Sequence, residues 1–187
     1  MTKARHPDDP VLDRVVRVED VPATGETVEI VAGPDALESL AQAIGVAQVL
    51  SARALLHLAP AGGGVQVKGE ARATVEQICV VTLDPFQTEI AEPIDVRFAP
   101  PGEMAEAEAR LRTHPPDDES EMPELPEPIV DGTLPLGPFV QEILALGVDP
   151  YPRKPGAVFE AGTDPADKRE SPFAALAKLR NPRPRDD

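Results

Sequence analysis

Residues 65–98, VQVKGEARATVEQICVVTLDPFQTEIAEPIDVRF, constrain the fold of this chain more than any other stretch. From Val65 to Glu76 the residues alternate. Val65, Val67, Gly69, Ala71, Ala73 and Val75 are apolar or small, while Gln66, Lys68, Glu70, Arg72, Thr74 and Glu76 are polar. A period of two puts the classes on opposite faces of a pleated strand. Beyond the ICVVTLDP corner, Phe86, Ile90, Ile94, Val96 and Phe98 fall at even positions. Pro93 interrupts that run and marks a bulge or a sheet edge. The stretch reads as a long antiparallel hairpin with one buried and one wet face. Val67, Ala71, Val75, Ile90 and Val96 are expected inward.

The remaining elements attach to this hairpin. Leu12–Val18 and Glu26–Val31 are β-branched runs either side of Pro22 and Gly25, so strand, turn and strand are expected. In 34–44, Leu37, Leu40, Ala41 and Ile44 form one helical stripe, with Pro34 suited to the first turn and Gly45 to the C-terminal cap. Val46–Leu58 reads as a strand, with a helix as the alternative, and Gly62–Gly64 as a hairpin turn. No Lys-Ser/Thr pair or helix start follows those glycines, so they are not a phosphate loop. A second helix is expected over 138–146, opened by Pro138 and closed by Gly147.

Composition matters at the two polar regions. Residues 100–128 are rich in Asp, Glu and Pro, and beyond a possible short helix at 103–112 they lack apolar surface to offset chain entropy. The expected architecture is therefore α+β: an antiparallel, partly closed sheet of five or six strands with two packed helices, an acidic flexible loop and a short C-terminal helix. In domain terms, 1–10 is a tail, 11–160 is one domain carrying a disordered acidic insertion at about 100–128, and 161–187 is a linker followed by the helix PFAALAKLR.

Net charge is −15, which repels phosphate and disfavours a free-standing nucleic-acid binder. A single cysteine excludes an internal disulfide and a multi-cysteine zinc site, so Cys79 reads as a structural thiol. His6, His57 and His114 share no ligand spacing. The start of the chain has no signal-like apolar run and no stretch suits a membrane span, so a cytoplasmic protein is expected. The last twenty positions carry six basic residues against three acidic ones. Within them Phe173 and Leu176 share a face close to Lys178 and Arg180, and these four are the candidate partner-binding residues. No catalytic, cofactor-binding or metal-binding residue stands out. A different class of reading is a metal-dependent nuclease using Asp84, Glu89, Glu92 and Asp95, which would require three of them gathered in one pocket.

Three segments carry a family resemblance: VKGEARATVEQICVVTLDPFQTEI, DGTLPLGPFVQEILALGVDPYPRKPG and SPFAALAKLR. In this order they resemble the bacterial YceD family, the large ribosomal RNA subunit accumulation proteins, and the CVVTLDP corner is similar to the alphaproteobacterial branch. Many relatives carry a second cysteine three positions after the first, where this chain has Thr82, so ideas attached to a cysteine pair do not transfer. The resemblance implies a non-enzymatic factor, without cofactor, that promotes 23S ribosomal RNA accumulation or processing. Its expected partner is a ribosomal protein or processing factor, whose basic surface an acidic protein attracts, or precursor 23S RNA met through the basic tail.

Overall fold

The computed structural model describes residues 12–113 and 125–159. The protein is α+β. Its main sheet has five strands in the order β2-β3-β4-β5-β6, comprising β2 (Glu26–Val31), β3 (Gln48–Ala61), β4 (Gly64–Ile78), β5 (Pro85–Ala99) and β6 (Glu127–Pro128). The first four form an antiparallel meander, and β6 adds in parallel to the end of β5. The sheet is open rather than partly closed: β2 and β6 do not meet. A two-stranded ribbon pairs β1 (Val16–Arg17) with β7 (Thr133–Leu134).

The organising hairpin forms as its alternation demands. Every β4–β5 pair keeps one register from Val65↔Phe98 to Ile78↔Pro85. Val67, Ala71, Val75 and Ile90 are buried, and Val96 packs partly buried against the core. Pro93 pairs with Glu70 without a register shift, so there is no bulge there; the bulge lies between Val49 and Ser51 in β3. At Pro93, β5 is instead an open edge, where a residue without an N–H is tolerated. The β3–β4 turn is two residues, Gly62-Gly63, with Gly62 at φ 62°. Gly64 already belongs to β4.

Helix α1 (Pro34–Ile44) has Pro34 in its first turn and ends on Gly45 in the left-handed conformation, as expected. It buries Leu40, Ala41 and Ile44. Helix α3 begins at Leu136, two residues before Pro138. The Gly137 N–H donates to the Arg14 carbonyl at 2.8 Å, and a Cβ there would stand 1.9 Å from the Leu12 carbonyl oxygen. Gly147 caps α3 in a right-handed conformation, not the left-handed one. Its missing side chain leaves room for Ile90 and Glu92, which a Cβ would approach to 2.6 and 2.7 Å. Both helices cover one face of the sheet, and Leu56, Leu58, Val67, Val75, Leu136, Val140 and Leu144 fill the space between. Each such side chain stabilises the fold by about 1.5–3 kcal/mol relative to exposure.

One further expectation changes. The LDRVVRV run yields only Val16–Arg17 as strand, and it pairs with β7 rather than with β2. A 3-10 turn at Val18–Asp20 intervenes, and Leu12, Val16 and Val21 are used as core instead. The short helix expected at 103–112 forms as α2 (Pro101–Thr113), and the strand β6 follows at Glu127–Pro128; residues 114–124 lie outside the described residues. Arg97 ties α2 to the β3–β4 turn through Glu103 and the Ala61 carbonyl. The tail 1–10 and the C-terminal helix expected after residue 171 lie outside the described residues.

Candidate functional site

The most individual part of the molecule is the corner between β4 and β5, residues 79–84, and the strap that follows α3, residues 147–159. Pro150, Pro152 and Pro155 remove three donors from the strap, and several of its remaining hydrogen bonds cross to β4 and the corner. The Val80 N–H donates to the Pro152 carbonyl at 2.9 Å, and the Lys154 N–H donates to Cys79 Sγ at 3.4 Å. Lys154 Nζ lies 3.5 Å from Asp84 Oδ2. Gln77, the one buried polar side chain among the described residues, donates to the Asp149 carbonyl at 3.0 Å and accepts from Thr88 at 2.9 Å. Within the corner, Cys79 and Asp84 close the turn at 2.9 Å, and Leu83 sits at φ 61°.

Cys79 is the centre of this arrangement. Its side chain is fully shielded, and the N–H groups of Val81, Thr82 and Lys154 all point at the sulfur, at 3.4–3.5 Å. The Thr82 side chain first, and then those main-chain donors, hold the thiol pKa to about 7, below its ordinary 9.0, against a desolvation that raises it. The folded value is depressed, so the thiolate's contribution to stability is present above the ordinary thiol pKa and is lost as pH falls through about 7. Ultraviolet thiolate absorbance of the folded protein is expected to titrate near pH 7. Cys79→Ala should abolish that signal and lower the melting temperature by a few degrees. A titration near 9, or an unchanged melting temperature, would contradict this structural role.

The acidic residues of β5 do not converge. Glu92 lies on the helix-covered side beside Gly147, whereas Glu89 and Asp95 are exposed on the other. Asp95 pairs with Lys68 at 2.9 Å, and Asp84 belongs to the strap contact. Among the described residues no three His, Cys, Asp or Glu side chains are placed to hold a metal ion. The uncovered face of the sheet is mixed in sign. Arg53 and Arg72 stand opposite each other, and Glu29, Leu55 and Glu70 form the adjoining row across β2, β3 and β4. Arg72 is already bound to Glu70 at 2.7 Å.

Phe173, Leu176, Lys178 and Arg180 lie outside the described residues, as do His6 and His114. What sequence reasoning missed is a set of exposed apolar side chains on the corner and strap. Ile78, Val80, Leu83, Tyr151, Val158 and Phe159 are all open to solvent. The signal was present in the apolar run ICVVTL where a corner needs only polar residues, and in an aromatic between two prolines at 150–152.

Residues 67–180 match the family model described as Large ribosomal RNA subunit accumulation protein YceD, which spans more than half of the chain. The chain belongs to the YceD family. No curated protein and no solved structure matches. YceD membership connects the protein with accumulation of large-subunit ribosomal RNA. The match begins in β4, takes in the corner, α3 and the strap, and ends at Arg180. No helix among the described residues is long and apolar enough to cross a membrane.

Proposed function

We propose that the protein is a cytoplasmic, non-enzymatic ribosome-biogenesis factor that promotes accumulation or processing of 23S ribosomal RNA by binding a basic ribosomal protein or a processing factor. The observation that carries this reading is charge. At −15 the molecule attracts basic proteins and repels phosphate. The uncovered sheet face supports it, since its cations are interleaved with carboxylates and form no stripe that would track a nucleic-acid backbone. In this reading neither a cofactor nor a metal takes part. Phe173, Leu176, Lys178 and Arg180 form a tethered recognition element. Its apolar side enters a groove on the partner, and its cations meet carboxylates there.

A tagged pull-down from cells, split with and without ribonuclease, tests the partner class. A ribosomal protein or processing factor retained after ribonuclease is the expected result. Capture that disappears with ribonuclease would replace it with direct recognition of precursor RNA. Deletion of 171–187 tests the recognition element. The melting temperature should stay within a few degrees of the parent while capture is lost. Unchanged capture and accumulation would remove the element from the mechanism, and a large fall in stability would make it part of the core.

A further inference from the structure

Strand β5 is paired along its whole length on one side only. There β4 follows it in one register from Val65↔Phe98 to Ile78↔Pro85. On the other side, among the described residues, β6 meets only Phe98 and Ala99. Two hydrogen bonds at the ends of the strand fix which main-chain groups face that open side. The Asp84 carbonyl accepts from the Cys79 N–H, toward β4, and the Ala99 carbonyl accepts from the Ile129 N–H, toward β6. In an antiparallel strand the N–H and C=O of one residue point the same way, and successive residues alternate. With no register shift between the two ends, even residues bond to β4 and odd residues face outward. Gln87, Glu89 and Ala91 therefore offer N–H and C=O groups at an unpaired edge, and all three are exposed. Pro85 and Pro93 are odd too, so neither removes a donor from the β4 ladder. They bound a frame of three outward N–H groups.

An open edge accepts any strand unless its side chains discriminate. From 85 to 96, β5 carries Glu89, Glu92 and Asp95 and neither Lys nor Arg. Asp95 is paired with Lys68, which leaves Glu89 and Glu92 to meet incoming cations. Like charges directly opposite destabilise a strand pair and opposite charges stabilise it, so this edge disfavours a second copy of itself and favours a basic strand. Glu89 lies on the uncovered face, whereas Ile90, on the helix-covered face, is 5% exposed. A strand that alternates cationic and aliphatic residues matches both faces.

We propose that the edge of β5 between Pro85 and Pro93 is a docking site for an extended basic segment of a partner protein, which adds as a strand beside β5 and in line with β6. Main-chain hydrogen bonds with Gln87, Glu89 and Ala91 hold the segment, and Glu89 and Glu92 select its charge. The frame is already fixed by β4, so docking orders only the incoming segment. The inference rests on the basic protein partner proposed above and adds where and how that partner is gripped.

Amide hydrogen exchange on the full chain, read by nuclear magnetic resonance, tests it with a short end-blocked peptide of alternating lysine and valine as the probe. In the protein alone, the amides of Gln87, Glu89 and Ala91 are expected to exchange quickly and those of Thr88 and Ile90 slowly. Saturating peptide is expected to slow the first three by about tenfold or more and leave the other two unchanged. A peptide with glutamate in place of lysine is expected to have no effect. Ala91→Pro, which removes one outward N–H as Pro93 already does, should keep the melting temperature within a few degrees and abolish the peptide's effect at Gln87 and Glu89. Glu89→Lys, which leaves the main chain intact, should weaken binding of the lysine peptide. Absence of protection by the lysine peptide would overturn the proposal, as would equal protection by the glutamate peptide. Slow exchange at Gln87, Glu89 and Ala91 in the protein alone would also overturn it. The occupant would then be the chain itself if the slowing is independent of concentration, or a second copy if it is lost on dilution. No cellular partner is present in this experiment, so its failure leaves the pull-down result standing, and failure of the pull-down leaves this one standing.

Discussion

Phe98→Ala is expected to cost about 3–5 kcal/mol, a large part of the roughly 5–15 kcal/mol that holds a domain folded. Phe98 is 1% exposed and lies where three elements meet. It pairs with Val65 on β4 and with Glu127 on β6, and its ring meets the Phe139 ring of α3 edge-on at 5.5 Å and 75°. The substitution removes that ring pair and leaves a cavity that main-chain hydrogen bonds prevent from collapsing: the neighbouring Ala99 carbonyl is held at 2.9 Å by the Ile129 N–H. Denaturant unfolding followed by circular dichroism measures the loss. A cost below about 1.5 kcal/mol would show that the β5–β6–α3 junction is not tightly packed.

Gly69→Ala is the second large effect, and its sign is opposite to the usual one. A glycine inside a strand ordinarily weakens it by about 0.5–1 kcal/mol relative to alanine. Here an added Cβ would lie 2.0 Å from the Leu55 carbonyl oxygen and 3.0 Å from the Leu56 Cα. Those are main-chain atoms in the middle of the β3–β4 ladder, opposite Leu56 and next to Ile94 on β5. They can move only by disturbing the register of both neighbours. The expected loss is about 3 kcal/mol, at the upper end of overpacking costs. Gly102→Ala, in α2 with open space at the Cβ, serves as the contrast and should stabilise by about 0.5–1 kcal/mol. A Gly69→Ala variant as stable as the parent would refute the close approach.

The contrast between these positions shows what was legible in the sequence. The β4–β5 hairpin was readable because a strict alternation fixes both strand identity and facing, and Val67, Ala71, Val75 and Ile90 needed nothing else. Helix α1 was readable from its stripe and from Pro34 and Gly45, whose roles are local. The close approaches at Gly69, Gly137 and Gly147 were not, because each is made to an atom from a distant part of the chain. The LDRVVRV run looked like a full strand for a related reason. Its β-branched residues are used for burial of Leu12, Val16 and Val21 against the core, and only two of its residues found a ladder partner. The open character of the sheet was likewise beyond a periodicity argument, which sets faces but not closure. At the candidate site, the corner was visible as a corner and Cys79 as a buried thiol. The strap that donates a hydrogen bond to the sulfur was not, since a proline-rich stretch carries no periodic pattern to place it.

The pairing of β1 with β7 bears on the order of events as the chain is made. Val16 meets Leu134, and Arg17 meets Thr133. The β2–β5 meander joins strands that follow one another in sequence, so each can pair as soon as its neighbour has left the ribosome. Strand β1 must wait for almost the last described element before it has a strand partner. Closing so long a loop removes more entropy than two ladder pairs return, so β1 depends on the burial of Leu12, Val16 and Val21 to hold it. The β1–β7 ribbon is therefore the last part of the described fold to be fastened and, by the same accounting, the first to come undone.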